Sequence, residues 1–222
     1  PDTTGQPTTV KQQLCQLDVN AVVVLARGNV VFEEYRHGMT PDDSHATLSV
    51  YKSIVATVIA TLIADGKLEE GKTIESYVPE LDGTAFGGAT VRHLLDMESG
   101  LKYEYVGPNN ELSQHIRSIS PTAQALGVPV GNYKFLPTLA REGEHGRRLR
   151  YKEADPLALA WAAEKTTGKR FADLLHERIW AKIGAEFDAD ATCDPLCQWT
   201  FYLSVALRDL ARWGLLCLHD GM

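Results

Sequence analysis

Ser49 and Lys52 are the residues whose types and spacing point first to chemistry. They stand three positions apart at the head of the stretch Thr47 to Ala64, and Lys52 is the only formal charge between Asp43 and Asp65. At about 100° per residue, positions i and i+3 lie on one helix face a turn apart, within reach of a hydrogen bond. Burying an ammonium disfavours its charged form. A helix N-terminus also opposes extra positive charge. A neutral amine beside a serine hydroxyl is a general base beside a nucleophile, the pairing that acyl transfer needs. Backbone N–H groups at the helix start add donors for a developing oxyanion.

The same spacing recurs as Ser99-Gly100-Leu101-Lys102. That copy straddles an expected helix stop, so its serine and lysine need not share a face, and no apolar periodicity suggests burial. Ser49 and Lys52 are therefore the candidates.

The element that must position them is a helix. Apolar residues recur at Val50, Ile54, Val58 and Leu62, with a second row at Val55, Ile59 and Ile63. A helix apolar over most of its circumference is buried, and Asp65-Gly66 ends it. Upstream, Ala21 to Leu25 and Val30 to Tyr35 flank Arg27-Gly28-Asn29, the pattern of a β-hairpin. Downstream, Thr90 caps a short helix over 90–97. Loops with short helices are expected from Leu101 to Arg150. Helices follow over Leu157–Thr166, Phe171–Ile183 and Ser204–Leu218.

Polar residues 1–12 read as a loose leader. The expected division is a leader over 1–20 and a domain over 21–222, the hairpin and nucleophile helix occupying 21–66 and a mainly helical region 67–222.

Composition narrows the function classes. Among 222 residues, 44 % are apolar and 23 % charged, as in ordinary globular proteins. With 22 Lys and Arg against 29 Asp and Glu, the net charge is −7. That balance argues against a nucleic-acid or anionic-membrane surface. The basic cluster Arg147-Arg148-Leu149-Arg150 reads as a solvated loop. Four cysteines are too few for a disulfide scaffold. Cys193 and Cys197 lack a second pair to complete a zinc set, so no metal is expected. No apolar run reaches the roughly 18 residues of a membrane span. The first residue is Pro1, so a processed, trimmed or partial chain is expected. Compartment and oligomeric state stay open.

Several segments together resemble a known family. Leu48-Ser49-Val50-Tyr51-Lys52-Ser53 is followed by Ala64-Asp65-Gly66-Lys67-Leu68, by Ser76 to Leu81, and by Thr90 to Leu101. Leu149 to Ala154, Thr166-Thr167-Gly168, Phe171 to Trp180 and Leu207 to Gly214 extend the series. In this order they resemble the serine β-lactamase and penicillin-binding-protein superfamily. The resemblance is strongest to its class C-like branch of esterases and 6-aminohexanoate-dimer hydrolases, over roughly residues 20–222. It implies the β-lactamase-like α+β fold, an antiparallel sheet with flanking helices plus a helical region, with the C-terminal strands missing from this chain.

The resemblance also implies roles. Ser49 is the acylated nucleophile, Lys52 its base partner, and Tyr151 the second-motif tyrosine that shares proton transfer and protonates the leaving group. Tyr105 is the candidate substrate-binding tyrosine, with Tyr103 its competitor. A small-molecule ester, amide or lactam is the implied substrate, and no metal or cofactor is needed.

Three features depart from the family pattern. Glu153 stands where Asn or Ser is usual, two residues after Tyr151. A carboxylate that meets Lys52 keeps the amine charged, so the base role requires Glu153 to point away. Cys197 to Leu203, where a Gly-Gly turn is common, is bulky and apolar. No strand bearing a Lys-Thr-Gly or His-x-Gly triplet follows the last helix, where the sequence reads His219-Asp220-Gly221-Met222. Serine acyl hydrolysis is the leading expectation, and a non-catalytic or inactive member of the same fold, binding or scaffolding, is its rival.

Overall fold

The computed structural model describes residues 5–221. In chain order its first elements are α1 (Val10–Gln16), β1 (Ala21–Ala26), β2 (Asn29–Tyr35), β3 (Ser44–Ala46) and α2 (Tyr51–Ala64). Then come α3 (Val91–Leu95), α4 (Glu111–Ser118), α5 (Asn132–Phe135), α6 (Ala154–Thr167) and α7 (Phe171–Leu175). The last are β4 (Asp190–Cys193), β5 (Trp199–Ala206) and α8 (Leu207–Leu218). The chain divides into two compact units, one of residues 1–45, 183–189 and 204–222, the other of 46–182 and 190–203.

The smaller unit is built on the expected hairpin. β1 and β2 pair antiparallel, with Ala26 opposite Asn29. Arg27 and Gly28 at the turn both have positive φ, 51° and 78°. That is the backbone of the tight turns whose twist suits two strands. α8 packs on β1. Its Arg208 makes a bidentate pair with Glu33 of β2, at 2.7 and 2.8 Å. This contact, the first cause, holds the Glu33 carboxyl down at about 2. Buried Asp209 accepts from the backbone N–H groups of Glu186 and Phe187.

Among the described residues this two-stranded sheet has no third strand. An open apolar groove of about 310 Å³ remains, lined by residues such as Val23, Leu25, Leu210 and Leu215. The expected leader is partly ordered: Thr9 and Gln12 form a reciprocal capping box at the head of α1, a Thr-x-x-Gln signal that a reading by composition alone passes over. Pro1 to Thr4 of that leader lie outside the described residues.

The larger unit is organised around α2. Ile54, Val55, Val58, Ile59 and Leu62 are fully buried, and α2 packs on α6 and α7 while α3 packs on α6. Burying a side chain of this kind is worth about 1.5–3 kcal/mol, which makes α2 the rigid axis of the unit. α6 begins at Ala154, three residues before the expected start, and closes on Gly168 with φ 69°.

Two expectations fail on element type. The helix expected over 171–183 is α7 followed by a single π-helical turn, His176–Trp180. The bulky stretch before the last helix is strand β5, and α8 begins at Leu207 rather than Ser204. Trp199, Leu203 and Val205 are buried while Tyr202 is exposed, the character of a strand in a sheet. β5 is the central strand of a three-stranded sheet in the order β3-β5-β4.

Candidate active site

The site is assembled at the head of α2. A 3-10 turn, Leu48–Val50, precedes the helix and carries Ser49. Thr47 anchors that turn: its backbone N–H and its hydroxyl both donate to the Leu203 carbonyl of β5, at 2.8 and 2.9 Å. Leu48 has φ 44°, in the left-handed region that a leucine enters at a cost of about 1–3 kcal/mol. The strained residue is 73 % exposed, and Ser49 beside it is exposed as well.

One turn on, Lys52 is buried, with 6 % of its surface accessible. Its Nζ lies 3.4 Å from Ser49 Oγ. Expected position and expected burial therefore coincide, and Ser49 and Lys52 are brought together. Glu153 does not point away. Its Oε2 lies 2.6 Å from Lys52 Nζ, and the carboxylate is buried too. Lys52 is thus half of an ion pair, and the condition placed on its base role is not met in the resting site. The reason is topological: Glu153 sits at the N-cap position of α6, and α6 packs directly on α2.

Glu153 collects two further donors. The Tyr51 hydroxyl donates to Oε2, and the Tyr105 hydroxyl to Oε1 at 3.3 Å. Burial first, and then the Glu153 charge, push both phenols above their ordinary range. Both hydroxyls therefore stay protonated and serve as donors.

Tyr151 meets the lysine with its ring rather than its hydroxyl. Lys52 Nζ stands 4.5 Å from the Tyr151 ring centroid and 4.7 Å from that of Tyr51. These distances suit cation–π contact. The Tyr151 side chain is half-exposed, and its ring lies 6.1 Å from that of Tyr105.

Of the two substrate-tyrosine candidates, Tyr105 reaches the cluster. Tyr103 is buried, with its hydroxyl 2.9 Å from His115 Nδ1. Tyr51 escaped the sequence reading. In a nearly all-apolar helix it passes for filler, and nothing local marks its hydroxyl as aimed at a residue 102 positions away.

The second Ser-x-x-Lys is built differently. Ser99 is fully buried, against expectation, and donates to Asp155 Oδ1 at 2.6 Å. Lys102 is half-exposed and pairs loosely with Glu111 at 3.5 Å. Gly100 separates them with φ 68°, and a Cβ there would meet the Gly143 carbonyl oxygen at 2.4 Å. Both the dihedral and the close backbone approach require glycine. Asp155 also faces buried Lys152 at 3.4 Å. Burial, the largest influence, lifts the Asp155 carboxyl to about 6 against the pull of Lys152 and Ser99. Cys193 and Cys197 are both exposed. Among the described residues no group of three or more His, Cys, Asp or Glu side chains could hold a metal ion.

Antiparallel strands, a helical region, and a serine one turn ahead of a lysine at the head of a buried helix define the class: the β-lactamase-like α+β fold. The chain belongs to the Beta-lactamase family, which it matches over residues 14–220. It is 36 % identical over 220 residues to 6-aminohexanoate-dimer hydrolase of Paenarthrobacter ureafaciens, covering 96 % of this chain and 55 % of that protein. A solved Bacillus anthracis chain with the provisional name 6-aminohexanoate-dimer hydrolase superposes with a TM-score of 0.89 at 29 % identity, covering 99 % of this chain and 59 % of that one. A penicillin-binding protein homologue from Pyrococcus abyssi shares the fold at 16 % identity and a TM-score of 0.73, over 96 % of this chain and 55 % of that one. The chain thus spans a little over half the length of these relatives. The resemblance read from the motifs agrees with the family and with this branch.

Proposed function

We propose that the chain carries the acylating half of a serine acyl hydrolase site acting on an ester, amide or lactam. The observation that carries this reading is the exposed Ser49 hydroxyl 3.4 Å from the buried Lys52 amine at the head of a rigid helix. Kinship with hydrolases of the family supports it. Ser49 Oγ attacks the carbonyl carbon, and its proton passes to Lys52. The oxyanion forms near the first turn of the helix, where the Ser49 N–H is the first donor. The carbonyl–heteroatom bond breaks, the leaving group departs with a proton, and water later releases the acyl group. In this scheme Tyr151 supplies the leaving group's proton from the half-exposed rim, and Tyr105 lines the acyl side.

A second reading has its own support. The Lys52–Glu153 ion pair at 2.6 Å suits a non-catalytic member of the fold that binds or scaffolds. One experiment separates the two: incubation with a fluorophosphonate or a penicillin, followed by mass spectrometry. A stable adduct on Ser49 supports the hydrolase, whereas folded protein without an adduct sinks it.

A further inference from the structure

Ser49 Oγ, Lys52 Nζ and Glu153 Oε2 form a continuous chain of polar atoms, with steps of 3.4 and 2.6 Å. We propose that Glu153 is the proton store of this site, taking the proton that Lys52 must shed before it can accept one from Ser49. The inference rests on the serine reading above. Glu153 acts through Lys52 and does not touch substrate.

An ammonium has no lone pair to receive the serine proton, so an inert ion pair would leave the nucleophile without a base. The pair as a unit can still accept one proton. The Nζ–H bond breaks as Oε2–H forms. The freed amine lone pair then takes the Oγ–H proton as Oγ bonds to the electrophile. The pair, neutral overall at the start, ends as Lys52 ammonium and Glu153 carboxylic acid. Its single positive charge faces the oxyanion when that charge develops.

The surroundings fit a stored proton. From α2, Glu153 faces Tyr51 and Lys52, and from the loop after Gly100 it faces Tyr105, with Tyr103 behind. Its own segment brings Lys152 and Asp155, which pair with each other. Two phenol donors hold the carboxylate in place whether or not Lys52 is charged. When the acid forms, its hydroxyl hydrogen can still be received by the Tyr51 oxygen.

A fluorophosphonate tests this directly. Ser49 Oγ bonds to phosphorus, the P–F bond breaks, and fluoride leaves without needing a proton, so the serine proton stays in the pair. Labelling rates are measured by mass spectrometry across pH for the 222-residue chain and for Glu153→Gln. The unsubstituted chain is expected to label well at neutral pH and to slow in acid. The glutamine variant is expected to label about a hundredfold more slowly at pH 7. Its rate should then rise with pH, because hydroxide must remove the proton that Glu153 no longer takes.

An unchanged pH profile in Glu153→Gln, or faster labelling at pH 7, overturns the proposal and leaves Glu153 an anchor. No adduct on the unsubstituted chain overturns the serine reading itself, which that sample alone reveals. If circular dichroism finds Glu153→Gln unfolded, Glu153→Asp takes its place. Its shorter acid should keep the profile's shape at a lower rate, and an alkaline-shifted profile in that variant overturns the proposal equally.

Discussion

The chain holds the pattern Ser-x-x-Lys twice, and the two copies are built inside out relative to each other. In the first, the serine is exposed and the lysine buried; in the second, Ser99 is buried and Lys102 half-exposed. The first lies on a turn that runs into α2, so its two side chains share a face. The second is broken by Gly100 in the left-handed region, and its members part company, Ser99 to Asp155 and Lys102 to Glu111. A nucleophile must be open to its electrophile while its base is held in place by its surroundings. Only the first arrangement allows that. The second spends its serine on satisfying a buried carboxylate, which is structural work.

Substitutions should separate the copies, and the largest effect concerns the serines. Ser49→Ala should abolish covalent labelling by a fluorophosphonate, whereas Ser99→Ala should still label at Ser49; peptide mass mapping decides between them. Lys52→Ala should slow labelling by about 10²–10⁴. It also strips a buried carboxylate of its partner, so a stability loss of about 3–5 kcal/mol should appear in denaturant titration. The same change at Lys102, whose ion pair is surface-exposed, should shift stability by less than about 1 kcal/mol.

Acid sensitivity offers a control from a third buried cluster. Burial pushes the His115 imidazole down to about 4, against an unfolded value near 6.5. The native state therefore resists a proton that the unfolded chain accepts. The His115 contribution is fully retained above about pH 6.5 and falls towards pH 4 by about 3 kcal/mol, while the Asp155 carboxyl, lifted to about 6, gains a similar amount over the same window, so the acid loss should emerge in Asp155→Asn. Thermal melts at stepped pH test this, and they also mark where an acid loss of labelling reflects unfolding rather than the site.

The smallest effect on labelling belongs to Ser99. Ser99→Ala removes one donor to Asp155 and should cost about 1–3 kcal/mol, with the labelling rate at Ser49 unchanged. A labelling loss as large as that of Lys52→Ala would erase the contrast between the copies.

How much was legible in the sequence varied with the range of the signal. The hairpin, the buried helix behind Ser49 and the Thr90 cap follow from local periodicity and turn chemistry, and they stand as read. β5 did not, because Trp199 to Ala206 is a short, mostly apolar run whose period does not tell strand from helix. The π-helical turn after α7 likewise has no local mark. Within the site, Ser49 and Lys52 were visible because their relation is a single helix turn. Glu153 was visible as an unusual carboxylate that could meet Lys52, but the way it aims was not, and Tyr51 was not visible at all.

By itself, then, the sequence determined the relations that span a few residues: a serine and a lysine on one helix face, the buried character of that helix, and the order of motifs that marks the family. Where Glu153 aims was decided only by the tertiary structure. Its direction depends on α6 docking against α2, a contact between segments about 100 residues apart that no periodicity encodes. That docking turns a lone buried amine into an ion pair with two phenols around it, and so changes what the serine's neighbour can do with a proton.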